Sequence, residues 1–302
     1  MRAAIYFLLF TVAAVCAAAG TSPARAGNQL VVTFDRPRDV LCKEGVRYSP
    51  ACPDPDVKLD VYYSKNFDKP DFVKQPCLLM IHGGGWSMGT EKKYAMLAAY
   101  AASRGYVAVC ISYRLLPEYE IEDCIQDCWL ALRWLKENAA DYGADASKIG
   151  VIGGSAGGHL TAMLATSKNS EICQKVFRSA KVSPDVQAAA PMAPVTNFAS
   201  EKRYMRVFKN SPDAAARAEK CSPISYVSAD SAPMHIFHAK GDKTVPVSES
   251  ENLSAAYKKF GLSCPITYYD SSNHAFWNVH PIGAERMRAW TDTIDFFDKV
   301  LK

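Results

Sequence analysis

The chain has 302 residues, 49% of them hydrophobic and 22% charged, which is enough apolar material for a large core and excludes a disordered chain. The formal net charge of +4 is not gathered into a basic block, which speaks against nucleic acid as a partner. No internal repeat, heptad run or low-complexity tract is present.

The chain opens MRAAIYFLLFTVAAVCAAAG: a positive Arg2, then an apolar run broken only by Thr11. Small residues around Ala24-Arg25-Ala26 predict a secretory signal over residues 1–26, cut before Gly27, with Ala17-Ala18-Ala19 as an earlier cut. An uncleaved anchor is the alternative reading, although the run is at the short end for a span. No later stretch is long and apolar enough to cross a bilayer, so no stable membrane partner is expected. The expectation is export to the extracellular space and a single domain over 27–302.

Residues 29–34 (QLVVTF) and 57–63 (VKLDVYY) read as strands, the second alternating as a half-exposed strand does. Pro50, Pro53 and Pro55 mark a loop between them. Residues 77–81 (CLLMI) and 107–112 (VAVCIS) are wholly apolar runs that suit strands buried on both faces, and 91–103 lies between them as a helix. Ile125, Trp129, Leu132 and Leu135 recur at helical spacing within 123–138. A strand over 149–152 precedes a helix over 159–167. Strands over 186–190, 234–238 and 266–269 follow, with a helix around Tyr257 and a last one over 286–300. Such alternation predicts an α/β fold: a mostly parallel central sheet with helices on both faces. The polar, helix-prone residues 199–221 form the expected small lid.

Ten cysteines are present, and Cys16 would leave with the signal. Export permits disulfides. Cys42 with Cys52, and Cys173 with Cys221, are the candidate pairs, whereas Cys124 and Cys128 sit one helical turn apart in poor geometry. There is no C-x-x-C pair and no Cys/His spacing of metal type, so no metal site is expected.

Residues 149–160 read IGVIGGSAGGHL. Gly153-Gly154-Ser155-Ala156-Gly157 is a G-x-S-x-G pattern between a strand and a helix, the context of a nucleophile elbow. A phosphate loop would need G-x-x-x-x-G-K-[ST], which is absent. A serine hydroxyl needs a base, and the base an orienting acid, in the chain order Ser, Asp or Glu, His. Asp242 in IFHAKGDKTVPV and His274 in YYDSSNHAF each follow a strand and take those roles. Asp230 and Asp270 are the rival acids, and His280 is the rival base in the right order. In MIHGGGWSMG, the backbone N–H groups of Gly83 and Gly84, with that of Ala156, are the candidate oxyanion donors. His82 reads as an anchor for this loop, His159 as a packing or capping residue, and Trp86 as either pocket wall or structural.

With IHGGGWSMG, SKIGVIGGSAGGHLTAMLA, HAKGDKTVPVSES and SNHAFW in place, the chain resembles the α/β-hydrolase superfamily. The resemblance is to its hormone-sensitive-lipase-like and feruloyl/acetylxylan-esterase-like (BD-FAE) branch, from about residue 57 to the end. It implies a carboxylic ester hydrolase that uses no cofactor, with Ser155, Asp242 and His274 as nucleophile, acid and base. The implied substrate is a short-acyl or feruloyl ester, on a small molecule or an acylated polysaccharide. A broad short-chain carboxylesterase and an arylformamidase-like amidase are the neighbouring readings. A non-catalytic binding module is disfavoured, since a binder has no need of all three residues. One departure stands out: relatives often read H-G-x-x-D at the acid loop, and here Ala239 replaces the glycine.

Overall fold

The computed structural model describes residues 22–26, 29–33, 36–50, 52–208, 211–278 and 283–302. Residues 1–21, which carry most of the expected signal, lie outside that range, as do Phe34 and the rival base His280.

β1 (Ser22–Ala26) and β2 (Gln29–Thr33) pair antiparallel as a separate two-stranded sheet, so the strand expected over 29–34 is found. The other strands form one eight-stranded sheet. They are β3 (Val40–Val46), β4 (Leu59–Ser64), β5 (Gln75–Ile81), β6 (Val107–Ile111), β7 (Ala144–Gly154), β8 (Ala188–Met192), β9 (Ile236–Ala239) and β10 (Ile266–Tyr269). The order across the sheet is β10-β9-β8-β7-β5-β6-β4-β3. All neighbours from β6 through β5 to β10 run parallel, and only β4 is antiparallel to the strands beside it. The helices are α1 (Ala95–Ser103), α2 (Ile121–Asn138), α3 (Ala156–Thr166), α4 (Glu171–Phe177), α5 (Ala214–Lys220), α6 (Val247–Lys259) and α7 (Ala284–Leu301).

Pleat alternation sorts the core into two halves. Cys77, Leu79 and Ile81 of β5 join Ile125 and Trp129 of α2, Leu160 of α3 and Leu253 of α6 on one face. Leu78 and Met80 join Leu97 of α1 with Trp290 and Phe297 of α7 on the other. The predicted two-faced packing is therefore present. α2 starts two residues earlier than its apolar spacing suggests, because Glu120 and Asp123 close a capping box on its first turn.

Three expectations are corrected. β4 is not half exposed: Leu59, Asp60, Val61 and Tyr62 are all buried, because β3 covers what would have been an open edge. Asp60 accepts from Lys92 Nζ at 2.7 Å and from Gly45 N–H at 2.9 Å, which makes its burial tolerable. Residues 40–46, expected as loop, are the strand β3. Its Lys43, Glu44 and a register shift before Val46 suit the outer strand of a sheet. The disulfides are not formed, and all nine cysteines from Cys42 to Cys264 are free thiols. Cys42 packs on the α1/α7 side of the sheet while Cys52 lies in the opposite core. Cys173 and Cys221 share a core without bonding, and burial pushes both thiols well above the ordinary thiol range.

The segment expected as a lid holds short turns at Phe198–Ser200 and Tyr204–Phe208, then α5. Phe198 packs on Trp86 at 5.2 Å and on His159 at 5.0 Å between ring centroids, so the segment rests on the glycine loop that follows β5. Among the described residues, no helix is long and apolar enough to cross a membrane.

Candidate active site

Every candidate residue lies just past the carboxyl end of a parallel strand, the edge at which open α/β sheets hold ligands. β7 ends at Gly154, α3 begins at Ala156, and Ser155 turns between them with φ 57° and ψ −120°. A side chain in this left-handed range is strained and is kept there by its surroundings. The Ser155 N–H donates to the Met192 carbonyl at 2.8 Å, and its own carbonyl accepts from His159 N–H at 2.9 Å. The flanking glycines are required by close approach. A Cβ at Gly157 would strike the Ile81 carbonyl oxygen, and one at Gly154 would strike the Trp277 ring.

The loop after β5 lies directly against this turn. A Cβ at Gly83 would sit 2.5 Å from the Gly154 oxygen and 3.3 Å from Ser155 Cβ. Among the described residues, none of the backbone hydrogen bonds of the loops and caps uses the N–H of Gly83, Gly84 or Ala156, which leaves the three as candidate donors.

Two buried histidines hold the loop. His82 stacks on Tyr113 with ring centroids 4.3 Å apart, and its Nδ1 lies 3.0 Å from the Gly83 carbonyl oxygen. Trp86 donates from Nε1 to His159 Nδ1 at 3.1 Å, and His159 Nε2 donates to the Cys221 carbonyl at 2.7 Å. Both imidazoles are pushed down to about 4 by burial, so both are neutral at neutral pH. Trp86, left open between pocket and structure, is a structural clamp; His82 anchors the loop as expected, and His159, expected to pack or cap, also accepts the Trp86 indole hydrogen bond.

Across the site, the acid loop after β9 brings Asp242 to His274. His274 Nδ1 lies 2.6 Å from Asp242 Oδ2. Asp242 Oδ1 accepts from the N–H groups of Thr244 at 2.8 Å and Val245 at 3.0 Å. Burial acts to raise the Asp242 carboxyl, but hydrogen bonds from His238, His274 and the Val245 amide outweigh it and hold the group well below the usual carboxylate range. His274 Nε2 is buried and has no hydrogen-bond partner among the described residues, so the nitrogen remote from Asp242 is unpaired. Trp277 joins the two halves: its ring faces Gly154 and lies 5.6 Å from the His274 ring, edge to face.

The rival acids are placed elsewhere. Asp270 is exposed and paired with Lys240 Nζ at 2.7 Å, and Asp230 is exposed in a turn. Trp277, His238 and Glu249 were not singled out from the sequence as parts of the site. The first two stand within HAKGD and SNHAFW, where their spacing to Asp242 and His274 is a usable signal. Glu249, buried on α6, accepts from Thr196 N–H at 2.6 Å, Asn197 N–H at 3.0 Å and the Ser200 hydroxyl, and so ties the base of the lid segment to the acid-loop helix. Nothing in its sequence setting announces this. A cavity of about 590 Å³ lies beside Gly89 and Thr90, walled by Asp54, Lys58, Glu118 and Tyr119.

The BD-FAE family model matches residues 59–257, most of the chain, from the start of β4 into the last turn of α6. The chain belongs to this family. As a BD-FAE member it has the α/β-hydrolase fold, and its relatives are named esterases. It is 33% identical over 224 residues to "Esterase LipQ" of Mycobacterium tuberculosis, covering 69% of this chain and 52% of that protein. It is 31% identical over 215 residues to "Probable carboxylic ester hydrolase LipM" of the same organism, covering 67% of this chain and 49% of that one. The chain therefore spans about half the length of the curated relatives it matches. Among solved structures, a thermophilic esterase of the planctomycete Thermogutta terrifontis with propionate bound matches with a TM-score of 0.71 at 26% identity, over 87% of this chain and 94% of that one. The same esterase phosphorylated by paraoxon matches with a TM-score of 0.69 at 26% identity, over 88% of this chain and 95% of that one.

Proposed function

We propose that this protein is an exported serine hydrolase of carboxylic esters. The reading is carried by one observation above the others: buried Asp242 and partly buried His274 pair in a way that leaves Nε2 without a partner at the edge where Ser155 is held in a strained turn. In the proposed cycle Ser155 Oγ attacks the ester carbonyl and gives its proton to His274 Nε2. Asp242 keeps the ring in the tautomer that makes this transfer and steadies the imidazolium. The N–H groups of Gly83, Gly84 and Ala156 receive the oxyanion. The proton passes to the leaving alcohol, and water repeats the sequence to free the acid from the acyl-enzyme.

The substrate class we propose is a short-acyl or feruloyl ester displayed on a larger hydroxylated molecule such as a plant polysaccharide. Two features support it. The lid segment is small, and Ser155 is only half buried. The Thermogutta esterase, solved with propionate and with butyrate bound, supports the short acyl side. Export rests on the leader sequence alone, since the free thiols remove the support that disulfides would have lent.

The test compares the full chain with Ser155→Ala on p-nitrophenyl acetate, p-nitrophenyl octanoate, methyl ferulate and acetylated xylan. Paraoxon labelling, read by intact mass, runs beside it. The expected result is hydrolysis of the acetyl or feruloyl ester and a single phosphoryl adduct, both absent in the variant. A folded wild type inert on all four substrates and unlabelled by paraoxon overturns the reading.

A further inference from the structure

We infer that His238, a second histidine on the proposed catalytic acid, is a positioning residue for Asp242. The inference rests on the reading that Asp242 and His274 serve Ser155. His238 is the third residue of β9 and is fully buried. Its Nε2 lies 3.1 Å from the Val245 carbonyl oxygen and 3.4 Å from Asp242 Oδ2. Both neighbours are acceptors, so the ring proton belongs on Nε2. Nδ1, 2.7 Å from Ser250 Oγ, then accepts the hydroxyl hydrogen of that buried serine at the start of α6.

These contacts close a ring. Val245 donates its N–H to Asp242 Oδ1 and receives His238 Nε2–H on its carbonyl. Asp242 Oδ2 lies between two imidazoles, His274 at 2.6 Å and His238 at 3.4 Å, while Oδ1 is held by the Thr244 and Val245 amides. With both oxygens engaged the carboxylate cannot turn about its terminal torsion, and the His274 ring is aimed by a fixed plane. Ser250 fixes the His238 ring in turn, so the aim of the base is set from α6, two elements away. The competing view is a buried histidine that merely fills the space between β9 and α6.

Two substitutions separate these views. Gln can return a donor near the position of Nε2. Asn retains a polar group near Nδ1, facing Ser250, and loses the reach to Asp242 and Val245. For His238→Asn we expect kcat about 10–100-fold lower with KM changed less than about 3-fold, as for a base misplaced by a fraction of an ångström. For His238→Gln we expect kcat within about 5-fold of wild type at a similar melting temperature. Ser250→Ala, a milder change, should lower kcat about 3-fold at constant KM. A readout independent of turnover accompanies these: the far-downfield proton NMR resonance of the His274–Asp242 hydrogen bond, retained in His238→Gln and lost in His238→Asn. If Asn and Gln lose kcat equally and in step with melting temperature, or if both keep wild-type kcat and the resonance, His238 is only packing. A wild type that has the resonance but no Ser155-dependent turnover would instead sink the hydrolase reading, with the resonance still deciding the role of His238.

Discussion

The two sides of the site are held by opposite means. The proposed oxyanion side is backbone against backbone: Gly83 on Gly154, Gly157 on Ile81, with neutral buried rings of His82 and His159 behind it. The acid side is a charged carboxylate surrounded by four donors, from His238, His274, Thr244 and Val245. The difference follows from what each side must present. A hole for a developing oxyanion needs N–H groups with nothing in front of them, which glycine allows. An acid that stays ionised against burial needs hydrogen bonds to its charged form.

The largest expected break is on the acid side. Asp242→Asn keeps the shape, but its amide can present a donor to His274 Nδ1 and so favours the wrong tautomer. Steady-state kinetics should show kcat lower by about 10⁴-fold with the fold retained. A loss under tenfold would remove Asp242 from its role. On the oxyanion side, Gly83→Ala should cost about 10²–10³-fold in kcat, because the methyl group must displace the Gly154 carbonyl or the loop that carries the donors.

Acid should act on the two sides in sequence. His82 and His159 stand at about 4 in the folded chain against an ordinary 6.5, so the unfolded chain takes up their protons first. Their contribution is complete above about pH 6.5 and is lost as pH falls towards 4, by up to about 3 kcal/mol for each ring. Asp242, depressed in the fold, contributes stability that is present above the usual carboxylate range and lost only below it. Denaturant melts between pH 7 and 3 should therefore fall in two stages, the first from the oxyanion side. A curve flat from pH 7 to 4.5 would contradict the neutral-histidine account. The smallest effect is expected for Trp86→Phe, which removes the indole donor and leaves His159 Nδ1 unpaired. It should lower stability by about 1–2 kcal/mol in the same melts, with kcat reduced less than tenfold.

Much of the site was legible from short stretches. G-x-S-x-G and H-G-G-G are visible because their glycines answer to local backbone crowding, and Asp242 and His274 stand just after strands with recognisable runs. Other features were not legible. β3 carries the charged residues of an outer strand and reads as loop. β4 alternates in sequence yet Leu59, Asp60, Val61 and Tyr62 are all buried, since its partner strand lies outside its own stretch. Nine cysteines after the expected leader suggest bridges, but the two halves of the core separate Cys42 from Cys52.

What the sequence determined by itself is the alternation of strands and helices, the sharp turn at Ser155 and the candidate order of nucleophile, acid and base. These depend on periodicity and on residues within a few positions of one another. Only the tertiary structure decided which acid meets which histidine. Asp242 and His274 are 32 positions apart, Trp86 and His159 are 73 apart, and Thr196 and Glu249 are 53 apart. Each of these bonds depends on how strands are ordered across the sheet, and that order is set by burial summed over the whole chain.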